Sequence, residues 1–209
     1  MAAIKHLWLD FSDTIARTNK TALGDIVYSA YASLMGKSVT PELIAEYKEL
    51  LAKCKSNPAV FASLGQPSGF LADQAAKWDP KELYSLTDED IPDVVVQLSQ
   101  IVPVSIFSNN RLDTILPALG LSPLWFKYIL GPDEVKSPKP APEGFLKMVE
   151  LSGVPASEIL YIGDDVEKDI IPAKQAGLLA GLLWTQSSEA DYCFDNFRAV
   201  LSLLQKEVQ

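Results

Sequence analysis

Four short stretches of the chain carry an apolar run or a turn onto residues that can do chemistry. LWLDFSDT places Asp10 at the end of a run and follows it with Ser12, Asp13 and Thr14; VSIFSNN ends on Ser108, with Asn109 and Asn110 behind it. GPDEVKSPKPAP offers Lys136 and Lys139, and LYIGDDVEKD sets Asp164 and Asp165 after a glycine, with Asp169 just beyond. Brought to one rim, these would form a cluster of carboxylates, a hydroxyl and an ammonium. Such a cluster suits a small polar ligand, with the ammonium offsetting the charge of an anionic one. Each stretch alone has an ordinary explanation: a cap, a turn serine, a loop start, a solvated linker. Their order, and their place at successive strand ends, point to a site.

The elements that must position them follow an α/β alternation. Apolar runs at IKHLWLD, PVSIFS, FKYIL, EILYIGD and LLAGLLW, with an edge piece at DYCF, are separated by segments of helical period such as RLDTILPALGL, APEGFLKMVELSGV and VEKDIIPAKQAGL. Nearly continuous apolar strands joined by crossover helices predict a Rossmann-like, doubly wound parallel sheet, whose ligands collect at the carboxyl ends of the strands. A terminal helix around FDNFRAVLSLLQKEV presents Phe197, Val200, Leu201 and Leu204 as a docking stripe. From about Ile15 to Gln100 only amphipathic segments occur, and Thr40-Pro41-Glu42 reads as a helix start. The expected organisation is a core of residues 1–14 and 101–209 with a helical insertion over 15–100.

With 209 residues, 48% apolar, the chain can bury one full core and a smaller unit. A net charge of −9 argues against nucleic acid and anionic membranes as partners. The two cysteines, Cys54 and Cys193, lack metal or disulfide spacing, and no run approaches the length of a membrane-spanning helix. A cytoplasmic monomer or homodimer acting on small molecules is expected. The sole histidine, His6, lies early in the first strand, away from the catalytic end, and reads as structural.

Taken together the stretches resemble the haloacid dehalogenase superfamily of hydrolases. LWLDFSDT is similar to its D-x-D-G-T motif, VSIFSNN to its strand ending in Ser or Thr, KPAPEGF to its K-P-x-P lysine, and LYIGDDVEKD to its G-D-x-x-x-x-D. The resemblance spans essentially the whole chain, and the insertion is similar to a C1-type cap. It implies an α/β core with that cap, Mg²⁺ as cofactor, and a small phosphorylated substrate hydrolysed through an aspartyl-phosphate. On this resemblance Asp10 is the nucleophile. Asp10, Asp164 and the backbone carbonyl of Ser12 are metal ligands, and Asp169 or Asp165 holds a water ligand. Ser108, the amide of Asn109 and Lys139 bind the phosphoryl group, and Lys139 is selected over Lys136. Mg²⁺ suits such a set because it prefers oxygen ligands and keeps several waters.

One position departs from the pattern. Where phosphatases of the superfamily carry an acid two residues after the nucleophile, this chain has Ser12, a hydroxyl too weak to protonate a leaving alkoxide. Asp13, next in line, is either a turn residue or a displaced acid, and the turn is favoured. Acyl phosphates, which leave readily, would need the acid least. Other members of the superfamily also lack that acid. Dehalogenases need no metal, whereas the retained Asp164 and Asp169 argue for one. Phosphonatases use a cap lysine, for which Lys48, Lys53 and Lys55 are candidates. A non-catalytic module binding Mg²⁺ and a phosphometabolite is a further alternative. Polar cap residues that could set specificity include Arg17, Asn19, Lys20 and Tyr31.

Overall fold

The computed structural model describes residues 3–207. Six strands form a parallel sheet: β1 (His6–Leu9), β4 (Val104–Phe107), β5 (Ile129–Leu130), β6 (Ile159–Gly163), β7 (Leu179–Leu183) and β8 (Tyr192–Phe194). Their order is β5-β4-β1-β6-β7-β8, so the chain fills one side from β1 and then crosses to the other. The reversal lies at β1, which pairs with β4 through Leu7–Val104 and Leu9–Ile106, and with β6 through Leu7–Leu160 and Leu9–Ile162. A crevice at the carboxyl end of β1 follows from that topology.

The strands are buried on both faces. Leu7, Leu9, Leu160 and Ile162 enter one apolar layer, whereas Trp8, Tyr161, Ala180 and Leu182 enter the other. The period-two alternation of side chains distributes each strand between the two layers, which is why its sequence is almost wholly apolar. Helices α6 (Ile91–Ile101) and α10 (Phe197–Glu207) cover the first face, with Val94, Val95, Leu98, Phe197 and Val200 buried. On the other face α8 (Glu143–Ser152) buries Phe145 and Met148.

The interval after β1 holds α1 (Lys20–Met35), α2 (Pro41–Cys54), α3 (Asn57–Ser63), α4 (Phe70–Ala75) and α5 (Pro80–Leu83), of which α1 to α4 pack together. Thr40 caps α2 as its sequence predicts, its hydroxyl accepting from the Leu43 N–H at 3.3 Å with Pro41 in the first turn. Tyr47 centres the packing, its ring edge-on to Tyr28 and Tyr31 at 5.6 and 5.3 Å.

Two features of this interval differ from a purely helical insertion. Strands β2 (Ala16–Thr18) and β3 (Tyr84–Leu86) form an antiparallel pair, Thr18 opposite Tyr84. Each is three residues long, too short for alternation to register, and its partner lies far along the chain. Helix α6 packs on α10 and β4 and so belongs to the layer covering the sheet, not to the α1–α4 group. The FKYIL strand is shorter than expected, with only Ile129 and Leu130 paired. The RLDTILPALGL crossover contracts to one turn, α7 (Ile115–Ala118). Before α9 (Ile171–Gln175) comes a widened π-type turn over Val166–Ile170.

Candidate active site

Asp10 is buried one residue beyond β1, its N–H donating to the Ile162 carbonyl at 2.8 Å. The Thr14 hydroxyl donates to Asp10 Oδ2 at 3.1 Å. Oδ1 of Asp10 accepts from Lys139 Nζ, which also donates to Asp169 Oδ1 and to the Tyr161 hydroxyl, both at 2.8 Å. Tyr161 in turn donates to Asp169 at 2.7 Å. The ammonium lies 5.2 Å from the Phe107 ring centroid, so its apolar surroundings are faced by an aromatic quadrupole.

The backbone of Lys139 is held from two sides. Its N–H donates to Asn109 Oδ1 at 2.9 Å, and its carbonyl accepts from the Ser56 hydroxyl at 2.7 Å, at the start of α3. Ser108, at the end of β4, is buried and accepts from the Asn110 N–H at 3.0 Å.

Oxygens of Asp10, Asp164 and Asp169 lie within 4.8 Å of one another. Burial raises the Asp10 carboxyl to about 6, Lys139 working against that shift and Asp169 adding to it. Burial likewise raises Asp164 to about 7, reinforced by the neighbouring Asp10 and Asp169. Burial opposes the charge on Lys139, but the flanking Asp10 and Asp169 outweigh it and hold the ammonium firmly protonated. One ammonium thus bonds two buried carboxyls, with the half-buried Asp164 beside them. A hard divalent cation fits that donor set, because it prefers oxygen ligands and would relieve the like-charge crowding.

Gly163 is required by the same packing: a Cβ there would stand 2.5 Å from the Cβ of Asp169. Asp165, by contrast, is committed to the local turn. Its Oδ1 accepts from the Glu167 and Lys168 N–H groups at 2.9 Å each, and its Oδ2 pairs with Lys168 at 2.7 Å. It lies on the cavity wall but outside the three-carboxylate cluster.

Ser12 Oγ faces Asn110, whose Nδ2 donates to it at 2.9 Å. Asp13 adopts a left-handed backbone, φ 60°. Its carboxylate accepts from the Thr18 N–H at 2.8 Å and pairs with Lys20, while its carbonyl accepts from Trp184 Nε1 at 2.9 Å. These bonds make Asp13 the hinge of a tight turn.

A cavity of about 370 Å³ joins these groups to the helical segment. Asp10, Ser12, Ser108, Asn109, Lys139, Asp164 and Asp169 line it from the sheet, and Leu23, Leu51, Lys55, Ser56, Asn57 and Leu71 from the helices. Of the polar cap candidates Lys20 reaches it, but Asn19 caps α1 and Tyr31 donates to Glu46 at 2.6 Å. Arg17 lies on the exposed side of β2, and Lys48 and Lys53 are exposed on α2. Lys136 is exposed too, its N–H bonded to Glu143 at 3.0 Å.

Two contributors escape sequence reasoning. Tyr161 sits inside an apolar strand and reads as core, and Ser56 reaches Lys139 from a distant element. Asn110, behind Ser108, and Thr14, adjoining the acid cluster, carry local signals, but their partners Ser12 and Asp10 are shown by the structure.

The family model described as haloacid dehalogenase-like hydrolase matches residues 4–177. A phosphoglycolate phosphatase of Pseudomonas fluorescens (strain Pf0-1) is 32% identical over 79 residues, which cover 37% of this chain and 29% of that protein. The matched stretch therefore spans less than a third of that relative's length. A HAD phosphatase from Thermococcus onnurineus superposes with a TM-score of 0.70 at 20% identity, covering 96% of this chain and 98% of that one. A HAD hydrolase, YfnB from Bacillus subtilis, whose structure is bound to magnesium, gives a TM-score of 0.62 at 20% identity, covering 97% and 99%. At such identities the structural likeness is one of fold.

Proposed function

The chain belongs to the haloacid dehalogenase-like hydrolases, and on that basis we propose that it is a Mg²⁺-dependent phosphatase of a small phosphorylated metabolite, working through an aspartyl-phosphate. The observation that carries this reading is the cluster of Asp10, Asp164 and Asp169 in one cavity, with Lys139 paired to Asp10 and Asp169. The substrate class agrees with the phosphate ester named for the Pseudomonas relative, and the metal with the magnesium-bound Bacillus structure.

Asp10, Asp164 and the carbonyl of Ser12 would hold the cation, with Asp169 completing the acidic set. When bound, Mg²⁺ neutralises charge between an anionic nucleophile and an anionic phosphoryl group. Asp10 Oδ attacks phosphorus, the P–O bond to the leaving group breaks, and the carboxyl becomes a mixed anhydride that water then opens. Ser108, the amide of Asn109 and Lys139 bind the phosphoryl oxygens, where negative charge must be met by fixed donors. Thr14 and the Asp10 N–H bond fix the nucleophile in direction. Helices α1 to α4 act as a cap that closes over the cavity and excludes water.

The position two residues after Asp10 is where this chain departs from the superfamily motif it resembles. Ser12 cannot deliver a proton, and the Asp13 carboxylate, though on the cavity wall, is engaged by the Thr18 N–H and by Lys20. General acid–base catalysis contributes roughly 10² to 10⁴ in rate, or about 3 to 5 kcal/mol of barrier. Turnover therefore favours substrates with good leaving groups, such as acyl phosphates.

Phosphate release from monoesters and acyl phosphates, measured on the purified protein with Mg²⁺, tests the reading. Turnover that disappears in Asp10→Asn supports it. Tight binding of phosphate and Mg²⁺ without turnover would identify a binding module instead.

A further inference from the structure

The helical segment meets the sheet core through polar contacts of unequal standing. Lys55 pairs with Glu167 at 3.0 Å and Asp73 with Arg111 at 2.9 Å, both in the open, where ion pairs contribute little. The Ser68 hydroxyl reaches the Pro132 and Val135 carbonyls at 2.8 and 2.9 Å, on residues that do not line the cavity of Asp10. Ser56 differs from all of these: it is 7% exposed, it lines that cavity, and its hydroxyl donates at 2.7 Å to the carbonyl of Lys139, 83 positions along the chain. Local structure brings it there. Helix α2 closes on Lys55 in a left-handed conformation, φ 69°, and Ser56 follows in extended backbone as the cap of α3, accepting from the Ala59 N–H at 3.3 Å. A hydroxyl has one proton and two lone pairs, so capping and the bond to Lys139 use different parts of one group. Capping alone needs no donor: aspartate caps a helix equally well, but would set a charge against the Lys139 carbonyl.

The bond falls on the residue whose placement the site depends on. Lys139 Nζ is oriented by core groups, donating to Asp10, Asp169 and Tyr161. Its main chain is anchored by Asn109, which accepts from the N–H at 2.9 Å but reaches the carbonyl only at 3.4 Å. The short bond to that carbonyl comes from the helical segment. We propose that Ser56 is a positioning residue that ties the seating of the helical cap to the placement of Lys139. With the cap seated, the Lys139 peptide is held on both sides; with the cap lifted, its carbonyl keeps only the long bond from Asn109. The ammonium is then set accurately when the cavity is closed to water, where a misplacement of about 1 Å can cost roughly 10²-fold in rate. Its consequence for turnover rests on the phosphatase reading above.

Steady-state kinetics on acetyl phosphate with Mg²⁺ test it. Ser56→Ala should lower kcat about tenfold, the worth of one hydrogen bond, while KM moves by less than about twofold. Ser56→Thr, which keeps the hydroxyl, should hold kcat within about twofold of wild type. Ser56→Gly separates the bond from capping: glycine caps a helix nearly as well as serine, so the melting temperature should stay near that of wild type while kcat falls as in Ser56→Ala. Hydrogen exchange supplies a readout without turnover. In Ser56→Gly the Lys139 amide, bonded to Asn109, should exchange about tenfold faster, and the Asp10 amide, bonded to Ile162, should not change. A wild-type kcat in Ser56→Gly, a loss confined to KM, or an unchanged Lys139 amide overturns the assignment. Failure of the phosphatase reading has its own signature: the wild type turns over neither acetyl phosphate nor a monoester, and exchange at the Lys139 amide still decides the tie to the cap.

Discussion

The Nζ of Lys139 lies 2.8 Å from Oδ1 of Asp169 while also bonding Asp10, so one ammonium is shared by two buried acids from different strand ends. Replacing it by methionine should abolish turnover and cost about 3 to 5 kcal/mol of stability in metal-free protein, as expected when a buried charge loses its partner. Because Asp10 and Asp164 can take up protons near pH 6 and 7, the loss should be larger at pH 8 than at pH 5. Urea melts of Lys139→Met at the two pH values check this. Equal losses would show that the carboxyls do not depend on the lysine for their charge.

Metal affinity should be steeply pH-dependent. Burial places Asp164 at about 7 and Asp10 at about 6 without metal, so Mg²⁺ must displace protons at lower pH. If both must ionise, the Kd should rise about twentyfold from pH 8 to pH 6. Calorimetry in buffers of different ionisation enthalpy would detect the released protons, and a flat profile would remove these acids from the ligand set.

Ser12→Asp places an acid on the cavity wall two residues after Asp10. With Asn110 available to bond it, the variant should raise kcat on monoesters by about tenfold or more, with little change on acyl phosphates. Steady-state phosphate release on both substrate types decides it. A folded, Mg²⁺-binding variant with no gain would show that the missing acid is not the limit.

Gly163→Ala should loosen the carboxylate cluster proposed to hold Mg²⁺. The new Cβ would stand 2.5 Å from Asp169 Cβ, forcing that side chain from its bonds to Lys139 and Tyr161. Overpacking of this kind costs about 1 to 3 kcal/mol. Paired measurement of melting temperature and Mg²⁺ affinity should show both falling together.

His6 sets an acid limit on the fold. Its ring stacks on Trp8 at 5.6 Å, its Nε2 meets the Ser105 hydroxyl at 2.8 Å, and burial, aided by Lys127, lowers its pKa to about 4. The unfolded chain binds the proton more readily, so stability is fully present above the ordinary value of 6.5 and declines as pH falls towards 4. The decline attributable to this group is about 2 kcal/mol between pH 6.5 and 4.5. His6→Gln should flatten the stability–pH curve by that amount relative to wild type, and parallel curves would refute the assignment.

The sequence by itself determined the parallel α/β core and the strand ends where Asp10, Ser108 and Asp164 stand. Burial on both faces and period-two alternation write those strands as continuous apolar runs, and an acid that ends such a run is conspicuous. It also determined the departure at Ser12, since side-chain chemistry at a fixed offset needs no coordinates. Only the tertiary structure decided which acids share a cation. Asp165 and Asp169 look equivalent in the sequence, but a turn of the backbone commits one to capping and turns the other to Lys139. The same holds for Tyr161 and Ser56, whose roles arise from contacts between distant segments, and for β2 and β3, which exist only through each other. Local pattern records burial and period; partnership across the chain leaves no local trace.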